Sequence, residues 1–153
     1  MRVSAKVDYA LRALAELAAA PPGTPVKGEQ LASAQEIPLN FLENILLELR
    51  RSELVASRRG ADGGYWLGRP AAEISLADVV RAVEGPIASV RGSRPEDVSY
   101  TGAATALQDV WIELRASMRG VLEQTSLADL VERSTRAQDP GSAGADPELR
   151  EHP

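Results

Sequence analysis

A glycine-rich segment, residues 58–64 (RRGADGG), constrains the fold of this chain more than any other feature. It separates two short stretches of strand-forming residues, which are Leu54, Val55 and Ser57 before it and Tyr65, Trp66 and Leu67 after it. Glycine and aspartate favour tight turns, whereas branched and aromatic residues favour strands. The sequence therefore predicts a β-hairpin that ends before Pro70, with two arginines at its tip.

Three helices are predicted before the hairpin, because apolar residues recur there every three or four positions. The first carries Val3, Val7, Ala10, Leu11, Leu14 and Leu17, and the residues Pro21-Pro22-Gly23 end it. The second covers about residues 27–34, where Lys27 is a poor N-cap. The third begins near Pro38 and ends near Arg51, with an inward face made of Leu39, Leu42, Ile45, Leu46 and Leu49. Its outward face is predicted to carry Asn40, Phe41, Glu43, Asn44 and Leu47.

The second half of the chain is also predicted to be helical. Ser75 and Asp78 form a capping-box pattern that begins a fourth helix. Residues 86–102 are polar and are predicted to form a long loop. A long helix follows over residues 103–124, and Ser126 with Asp129 caps a final short helix. The apolar stripe of the long helix consists of Leu107, Val110, Trp111, Leu114, Met118, Val121 and Leu122.

These elements predict a mainly α fold with a small β-hairpin wing, namely a winged helix-turn-helix domain with a long dimerisation helix. The predicted divisions are a DNA-binding domain over 1–85, a linker over 86–102, dimerisation and C-terminal helices over 103–136, and a disordered tail over 137–153. A long apolar stripe that follows a complete small domain favours pairing with a second copy. The alternative is that the stripe packs only within the monomer.

The composition excludes several functions. The 153 residues include no cysteine, which excludes disulfides and thiolate metal ligands, and the single histidine is the penultimate residue, His152. No catalytic constellation of a base and a nucleophile stands out, so we expect no enzyme activity. No apolar run is long enough to span a membrane, and charges at Asp8, Arg12 and Glu16 argue against a signal peptide. We therefore expect a cytoplasmic protein.

The charge distribution matters more than the net charge of −5. Residues 50–69 hold five arginines against Glu53 and Asp62, so positive charge is concentrated at the third helix and the hairpin. A local basic patch on an acidic protein can bind phosphates because salt screens distant charges. The alternative is that Arg50 and Arg51 are ordinary solvent-exposed residues at the C-terminus of the third helix, where they interact only with the helix dipole.

Helices followed by a hairpin are the plan of a winged helix, whose third helix fits the major groove of DNA. We predict that Asn40 and Asn44 bond base edges and that Glu43 accepts from cytosine. Arg58 and Arg59 on the hairpin would contact phosphates or a narrow minor groove. Further residues assigned to DNA binding are Arg51 and the hairpin glycines Gly60, Gly63 and Gly64, which allow a sharp turn and a close approach to DNA.

The segments MRVSAKVDYALRAL, at the start of the chain, and LRRSELVASRRGADGGYWL, at residues 49–67, resemble the Rrf2 family of IscR/NsrR/CymR-type repressors. The resemblance is close over residues 1–87 and looser over 107–130. It implies a homodimer in which the long helix pairs across a two-fold axis, through Leu107, Trp111, Leu114, Met118, Val121 and Leu122. It also implies that Asn40, Phe41, Glu43 and Asn44 contact double-stranded DNA, that Arg59 enters the minor groove, and that Arg2 and Ser4 lie near the backbone.

The loop before the long helix differs from that of many relatives, which hold an iron–sulfur cluster there with three cysteines. Residues 88–106 contain no cysteine, and oxygen ligands do not replace thiolates at such a cluster. We therefore expect no cofactor. Asp8, which matches a cluster ligand of some relatives, is predicted to be structural.

The signal that this chain senses is left open by the sequence. Arg91, Tyr100 and Trp111 could line an effector pocket, or they could be hinge and core residues; a third alternative is regulation by abundance alone. The alternative to DNA binding is a winged helix that serves as a protein-interaction module. The acidic net charge and the carboxylates Glu43 and Glu48 on the third helix favour that alternative.

Overall fold

A computed structural model describes residues 1–139 and 141 of the chain. Six α-helices and one two-stranded antiparallel sheet make up the described part, joined by short 3₁₀ turns. The bounds are α1 Ala5–Ala19, α2 Gly28–Gln35, α3 Leu39–Arg51, β1 Val55–Arg58, β2 Gly64–Leu67, α4 Leu76–Glu84, α5 Leu107–Gln124 and α6 Leu127–Gln138. The predicted winged helix-turn-helix with a long C-terminal helix is confirmed.

Local signals fix the ends of the first three helices. The hydroxyl of Ser4 accepts a hydrogen bond from the Val7 N–H and caps α1. The side-chain oxygen of Gln30 accepts from the Lys27 N–H, which supplies the start of α2 that Lys27 alone does not. Glu36 ends α2 in the left-handed conformation, with φ of 53°. The next two residues, Ile37 and Pro38, then complete the turn into α3.

The amphipathic pattern of α3 is confirmed except at one position. Leu42, Ile45, Leu46 and Leu49 are buried in the core. Leu39, predicted to face inward, is 37% exposed. It is the first residue of α3, and its side chain lies beside Gly28, where the ring of Tyr65 already covers the core. The outward face of the helix is therefore one residue wider than predicted.

The wing is a hairpin of β1 and β2 in which Val55 pairs with Leu67 and Arg58 pairs with Gly64. Val26, just before α2, forms a further antiparallel bridge with Tyr65 through hydrogen bonds of 2.8 Å in both directions. The wing is thereby joined to the base of α2 and held at a fixed position beside α3.

A single core connects the first helices with the last one. Ala10, Leu14, Leu46 and Ile74 are fully buried, and so is Leu127 at the start of α6. A capping box of Ser126 and Asp129 begins α6, and the hydrogen bond from the Ser126 backbone N–H lowers the pKa of Asp129. The C-terminal helix thus packs on α1, inside the unit that the sequence assigns to DNA binding.

Val3 and the long helix differ from prediction. Val3 is 76% exposed and precedes α1, because Ser4 caps the helix after it. The long helix begins at Leu107 rather than at residue 103, since Gly102–Ala104 forms a 3₁₀ turn. The loop before it is ordered by a bridge between Val90 and Ser93, and the side chains of Ile87, Pro95 and Val98 are buried.

The last helix overlaps the start of the predicted tail. α6 extends through Gln138, two residues into the segment predicted as disordered, and most of residues 137–153 lie outside the described part. Within residues 1–139 and 141, no helix has the length and apolar character needed to cross a membrane.

Candidate nucleic-acid interface

The outward face of α3 presents every residue that the sequence places there. Asn40, Phe41, Glu43 and Asn44 are all exposed, and 59% of the Phe41 surface is open to solvent. The buried side of the same helix carries four core residues, so the polar face is held rigidly. An α-helix with such a face has the width of the DNA major groove.

Glu48 on α3 does not belong to that face. Its carboxylate oxygens lie 2.7 and 2.9 Å from the Nζ atom of Lys6 on α1. The ion pair neutralises Glu48 and turns it toward α1. One of the two carboxylates that favoured the protein-interaction alternative is therefore compensated within the chain, whereas Glu43 stays exposed.

The two arginines of the wing differ in their surroundings. The guanidinium of Arg58 donates to the carbonyl oxygen of Asp62 at 3.1 Å, across the hairpin turn. Arg59 is exposed, and no residue in the described part of the chain forms a hydrogen bond or ion pair with it. Arg59 is therefore the wing arginine that is available for an external anion.

A lysine that the sequence analysis assigned no role holds the wing tip. The Nζ atom of Lys27 donates to the carbonyl oxygen of Gly60 at 2.7 Å. This contact joins residues 33 positions apart, so no local pattern could have indicated it. Lys6 was missed for the same reason, since it lies 42 positions from Glu48.

The hairpin glycines are required by the protein backbone itself. A Cβ atom on Gly63 would lie 2.0 Å from the carbonyl oxygen of Arg58, and one on Gly64 would lie 2.7 Å from that of Val26. Both glycines are buried. Gly60 has a positive φ of 103° with open space around it, as a turn residue requires. The predicted sharp turn is thus observed, and the space saved at Gly63 and Gly64 is occupied by neighbouring backbone.

The N-terminal residues lie beside α4. Arg2 is exposed and is free of hydrogen-bond partners among the residues that the structure describes. The hydroxyl of Ser4 caps α1 and also donates to the carboxylate of Glu84. Arg51, the last residue of α3, is exposed as well. Whether these residues contact DNA stays a prediction.

The apolar stripe of α5 is incompletely covered. None of its six predicted dimerisation residues is buried, and Val121 is 68% exposed. Four of them line one side of a cavity of about 640 Å³ between α5, α1, α4 and the preceding loop; these are Trp111, Leu114, Met118 and Leu122.

The three residues assigned to the effector region do not all line the same cavity. Arg91 and Trp111 both line the cavity beside α5, whereas Tyr100 is not among its walls. Tyr100 instead accepts a hydrogen bond of 2.9 Å from the indole Nε1 of Trp111. An effector role for these residues stays a prediction.

Asp8, which the family resemblance matches to a cluster ligand of some relatives, has a partner within the chain. Its carboxylate lies 3.0 Å from the Nε atom of Arg12, one helical turn further along α1. Arg12 also stacks on the ring of Tyr9 and donates to the carbonyl oxygen of Gln35. These contacts support the structural role predicted for Asp8.

Comparison with known proteins gives a consistent result. Residues 3–133 match the family model Rrf2, which is described as an iron-dependent transcriptional regulator. The chain is 57% identical, over 85% of its length and 81% of the relative, to Rv1287 of Mycobacterium tuberculosis, which is named as a candidate HTH-type transcriptional regulator. It is 32% identical to the HTH-type transcriptional regulator CymR of Bacillus subtilis, over 91% of this chain and 96% of CymR.

Solved structures agree with the sequence matches. The structure of CymR, the global cysteine regulator of B. subtilis, superimposes with a TM-score of 0.75 at 32% identity and covers 87% of this chain and 98% of CymR. IscR of T. potens gives a TM-score of 0.75 at 29% identity and covers 91% and 92% of the two chains.

The metal-ligating side chains of this chain do not fit the iron that the family description names. The chain has no cysteine, and residues 1–139 and 141 contain no group of three or more histidine, aspartate or glutamate side chains placed to hold a metal ion. In the loop before α5, the Glu96 carboxylate is bound by Arg115 and that of Asp97 by Arg94. Iron–sulfur clusters require thiolate or imidazole ligands, so the residues of this loop do not suit one.

Fold, family match and relatives therefore agree. The chain belongs to the Rrf2 family of winged helix-turn-helix, DNA-binding transcriptional regulators and is not an enzyme.

Proposed function

We propose that the protein is a repressor that acts as a homodimer on a dyad-symmetric operator, with α3 of each subunit in the major groove. The observation that carries this proposal is an exposed polar face on α3 together with Arg59, an exposed arginine without a partner among the described residues, on a wing fixed beside that face. A winged helix reads DNA with these two elements together. Residues 1–85 supply the DNA contacts in this proposal, and α5 within residues 103–136 supplies the dimer contact across the linker 86–102.

The side chains on α3 divide into base-reading types. Asn40 and Asn44 each offer a donor and an acceptor, which suits the N6 and N7 edge of adenine. Glu43 accepts from the amino group of cytosine, and the ring of Phe41 suits a thymine methyl group. With Glu48 bound to Lys6, the face carries a single carboxylate and repels phosphates less than the sequence suggests.

Positively charged residues around α3 supply the backbone contacts. Arg59 is placed to enter the minor groove, and Arg58 to approach a phosphate after it releases the Asp62 carbonyl oxygen. Arg51 at the end of α3 and Arg2 before α1 flank the same surface in this proposal. These contacts set affinity, whereas the α3 side chains set sequence preference.

Support for the homodimer comes from the apolar surface of α5, which a single chain leaves exposed to solvent. α5 has 18 residues, yet the only side chain it buries within the chain is that of Arg115. The exposed apolar residues Val110 and Val121 lie on α5, and Met1 and Val3 are also exposed. A second copy that packs on α5 would cover this surface and relate two α3 helices by a two-fold axis. We infer repression because a dimer bound over a promoter excludes polymerase from the same DNA.

The experiment that tests base reading is selection from a random pool of duplexes with the wild-type protein and with Asn44→Ala. We expect the wild type to enrich a motif with two inverted half-sites. Asn44→Ala removes a side chain that is exposed and not needed for the core, so it should relax the motif at one position in each half-site while the fold is unchanged. Failure of the wild type to enrich any motif would contradict the proposal.

A further inference from the structure

A polar network fastens the loop before α5 to one side of that helix. Arg115 is the only charged side chain that is buried in the described part of the chain. Both terminal nitrogens of its guanidinium bind the carboxylate of Glu96, one at 2.8 Å and the other in a shorter contact. A paired, two-point ion pair of this kind fixes the relative orientation of the two groups as well as their distance.

Two further residues of α5 bind the same loop. The side-chain nitrogen of Gln108 lies 2.7 Å from the carbonyl oxygen of Val98 and 3.0 Å from that of Glu96. Trp111 donates to the hydroxyl of Tyr100. Gln108, Trp111 and Arg115 are three and four positions apart, so they form one stripe along the helix. We call this set, with Glu96 and Tyr100, the loop latch.

The loop latch lies in the segment before α5 where the resemblance to the Rrf2 family implies a cluster in many relatives. Here the carboxylate that would otherwise be a hard metal ligand, Glu96, is committed to Arg115. Separate from the latch, Asp97 is bound by Arg94, which lowers the pKa of Asp97. The loop is therefore ordered by the chain's own hydrogen bonds.

We propose that the loop latch takes the place of a bound cofactor, and that Arg115 and Glu96 are positioning residues which hold α5 in the orientation for two-half-site DNA binding. DNA binding is then independent of iron and of redox state. This inference rests on the proposed function as a dimeric DNA binder, since α5 sets how far apart the two recognition helices lie. It departs from the iron dependence in the family description.

The test variant is Arg115→Met, which keeps the apolar stem and leaves Glu96, whose side chain is 41% exposed, in contact with water. The matched control is Asp97→Asn, which removes an exposed ion pair in the 3₁₀ turn Pro95–Asp97 that also contains Glu96. All variants carry Trp66→Phe, so that Trp111 is the only tryptophan. Acrylamide quenching of Trp111 then reports on the latch without any DNA.

We expect Arg115→Met to raise the quenching constant of Trp111 at least twofold. Its Kd for a duplex with two selected half-sites should rise at least tenfold, while the Kd for the duplex with one half-site scrambled rises less than threefold. Asp97→Asn should match the parent protein in all three values. Chelator, ferrous iron, dithiothreitol or hydrogen peroxide should change the Kd of the wild type less than twofold.

Several results would overturn the inference. One is an Arg115→Met protein that equals its parent in quenching and in two-half-site affinity; another is a cluster that forms on the wild type during anaerobic reconstitution with ferrous iron and sulfide and changes its Kd tenfold. If circular dichroism shows that Arg115→Met is unfolded, Gln108→Leu, which leaves the ion pair intact, must show the same pattern or the inference fails. A wild type that binds no DNA would refute the proposed function, while the quenching constants and the presence or absence of a reconstituted cluster would still test whether the latch forms in place of a cofactor.

Discussion

At the residue scale, the surroundings of individual charged groups decide which of them can meet DNA. The wing carries two adjacent arginines, but Arg58 donates to the Asp62 carbonyl oxygen and Arg59 is free among the described residues. On α3, Glu48 is bound by Lys6 and Glu43 is exposed. A count of charges along the sequence treats the two arginines alike and the two glutamates alike. The structure shows that one member of each pair is bound within the chain and the other is exposed.

Arg59→Ala should therefore weaken DNA binding by about 1–3 kcal/mol, because an exposed guanidinium is lost from the wing that we propose faces DNA. A fluorescence-anisotropy titration on a selected duplex measures the change. The control is Arg133→Ala, which removes an exposed arginine on α6 and should leave the affinity unchanged. Equal affinities for wild type and Arg59→Ala would remove the wing from the mechanism.

At the element scale, the wing depends on Gly63 and Gly64, where the lack of a side chain lets neighbouring backbone segments approach closely. Gly64 has a φ of 149° and lies against Val26, whose backbone forms the bridge that fixes the wing. A side chain at this position would push β2 away from the segment before α2. The wing is thus held by an interaction that a hairpin alone does not provide.

We predict that Gly64→Ala lowers the free energy of unfolding by at least about 2 kcal/mol, because it adds a clash to a strained backbone conformation. Urea denaturation measures this change. The control, Gly120→Ala, lies inside α5 with open space around it and should raise stability by about 0.5–1 kcal/mol. A neutral Gly64→Ala would show that the bridge to Val26 contributes little.

The sequence predicts the helices and the hairpin well because their signals are local. Apolar periodicity places α1, α3 and α5, and the Ser75 and Ser126 capping boxes are found where predicted. The predicted start of α5 was wrong by four residues, since the alanines around 103–106 favour a helix while Gly102, with φ of 59°, begins a 3₁₀ turn instead.

Contacts between distant residues could not be predicted from local patterns. Lys27 reaches Gly60, and Arg115 reaches Glu96, across 33 and 19 positions. The long loop before α5 was predicted from its polar composition. Part of its order comes from Gln108 and Arg115 on α5, which bind the Val98 carbonyl oxygen and the Glu96 carboxylate. Hydrophobic periodicity assigns such polar side chains to solvent. The predicted DNA-facing residues of α3 are exposed, and their contacts with DNA stay predictions.

At the scale of the whole molecule, α5 has more apolar surface than one chain covers. Ala116→Glu and Val121→Glu place the same charge on two exposed positions of this helix, the first on the side away from the apolar stripe. We expect Val121→Glu to sediment as a monomer, because a carboxylate in an apolar interface is costly to desolvate. Wild type and Ala116→Glu should sediment with twice the mass of one chain. A wild-type monomer at micromolar concentration would contradict the dimer.

The charge of the whole molecule makes salt dependence informative. The net charge of −5 disfavours DNA at long range, so in the proposed complex the attraction comes from the local positive groups near α3 and the wing. Phosphate contacts of this kind release counterions, and the affinity then falls steeply as salt rises. A winged helix that serves only as a protein-interaction module would show no DNA affinity that falls in this way as salt rises.

The most direct test is fluorescence-anisotropy binding of the purified protein to its own upstream DNA and to a scrambled duplex, at about 50 and about 200 mM salt. We expect the upstream sequence to bind more tightly than the scrambled one at both concentrations, and its affinity to fall at least about tenfold at the higher salt. Equal and weak binding to both duplexes, unchanged by salt, would contradict the claim that α3 and the wing form a sequence-reading DNA interface.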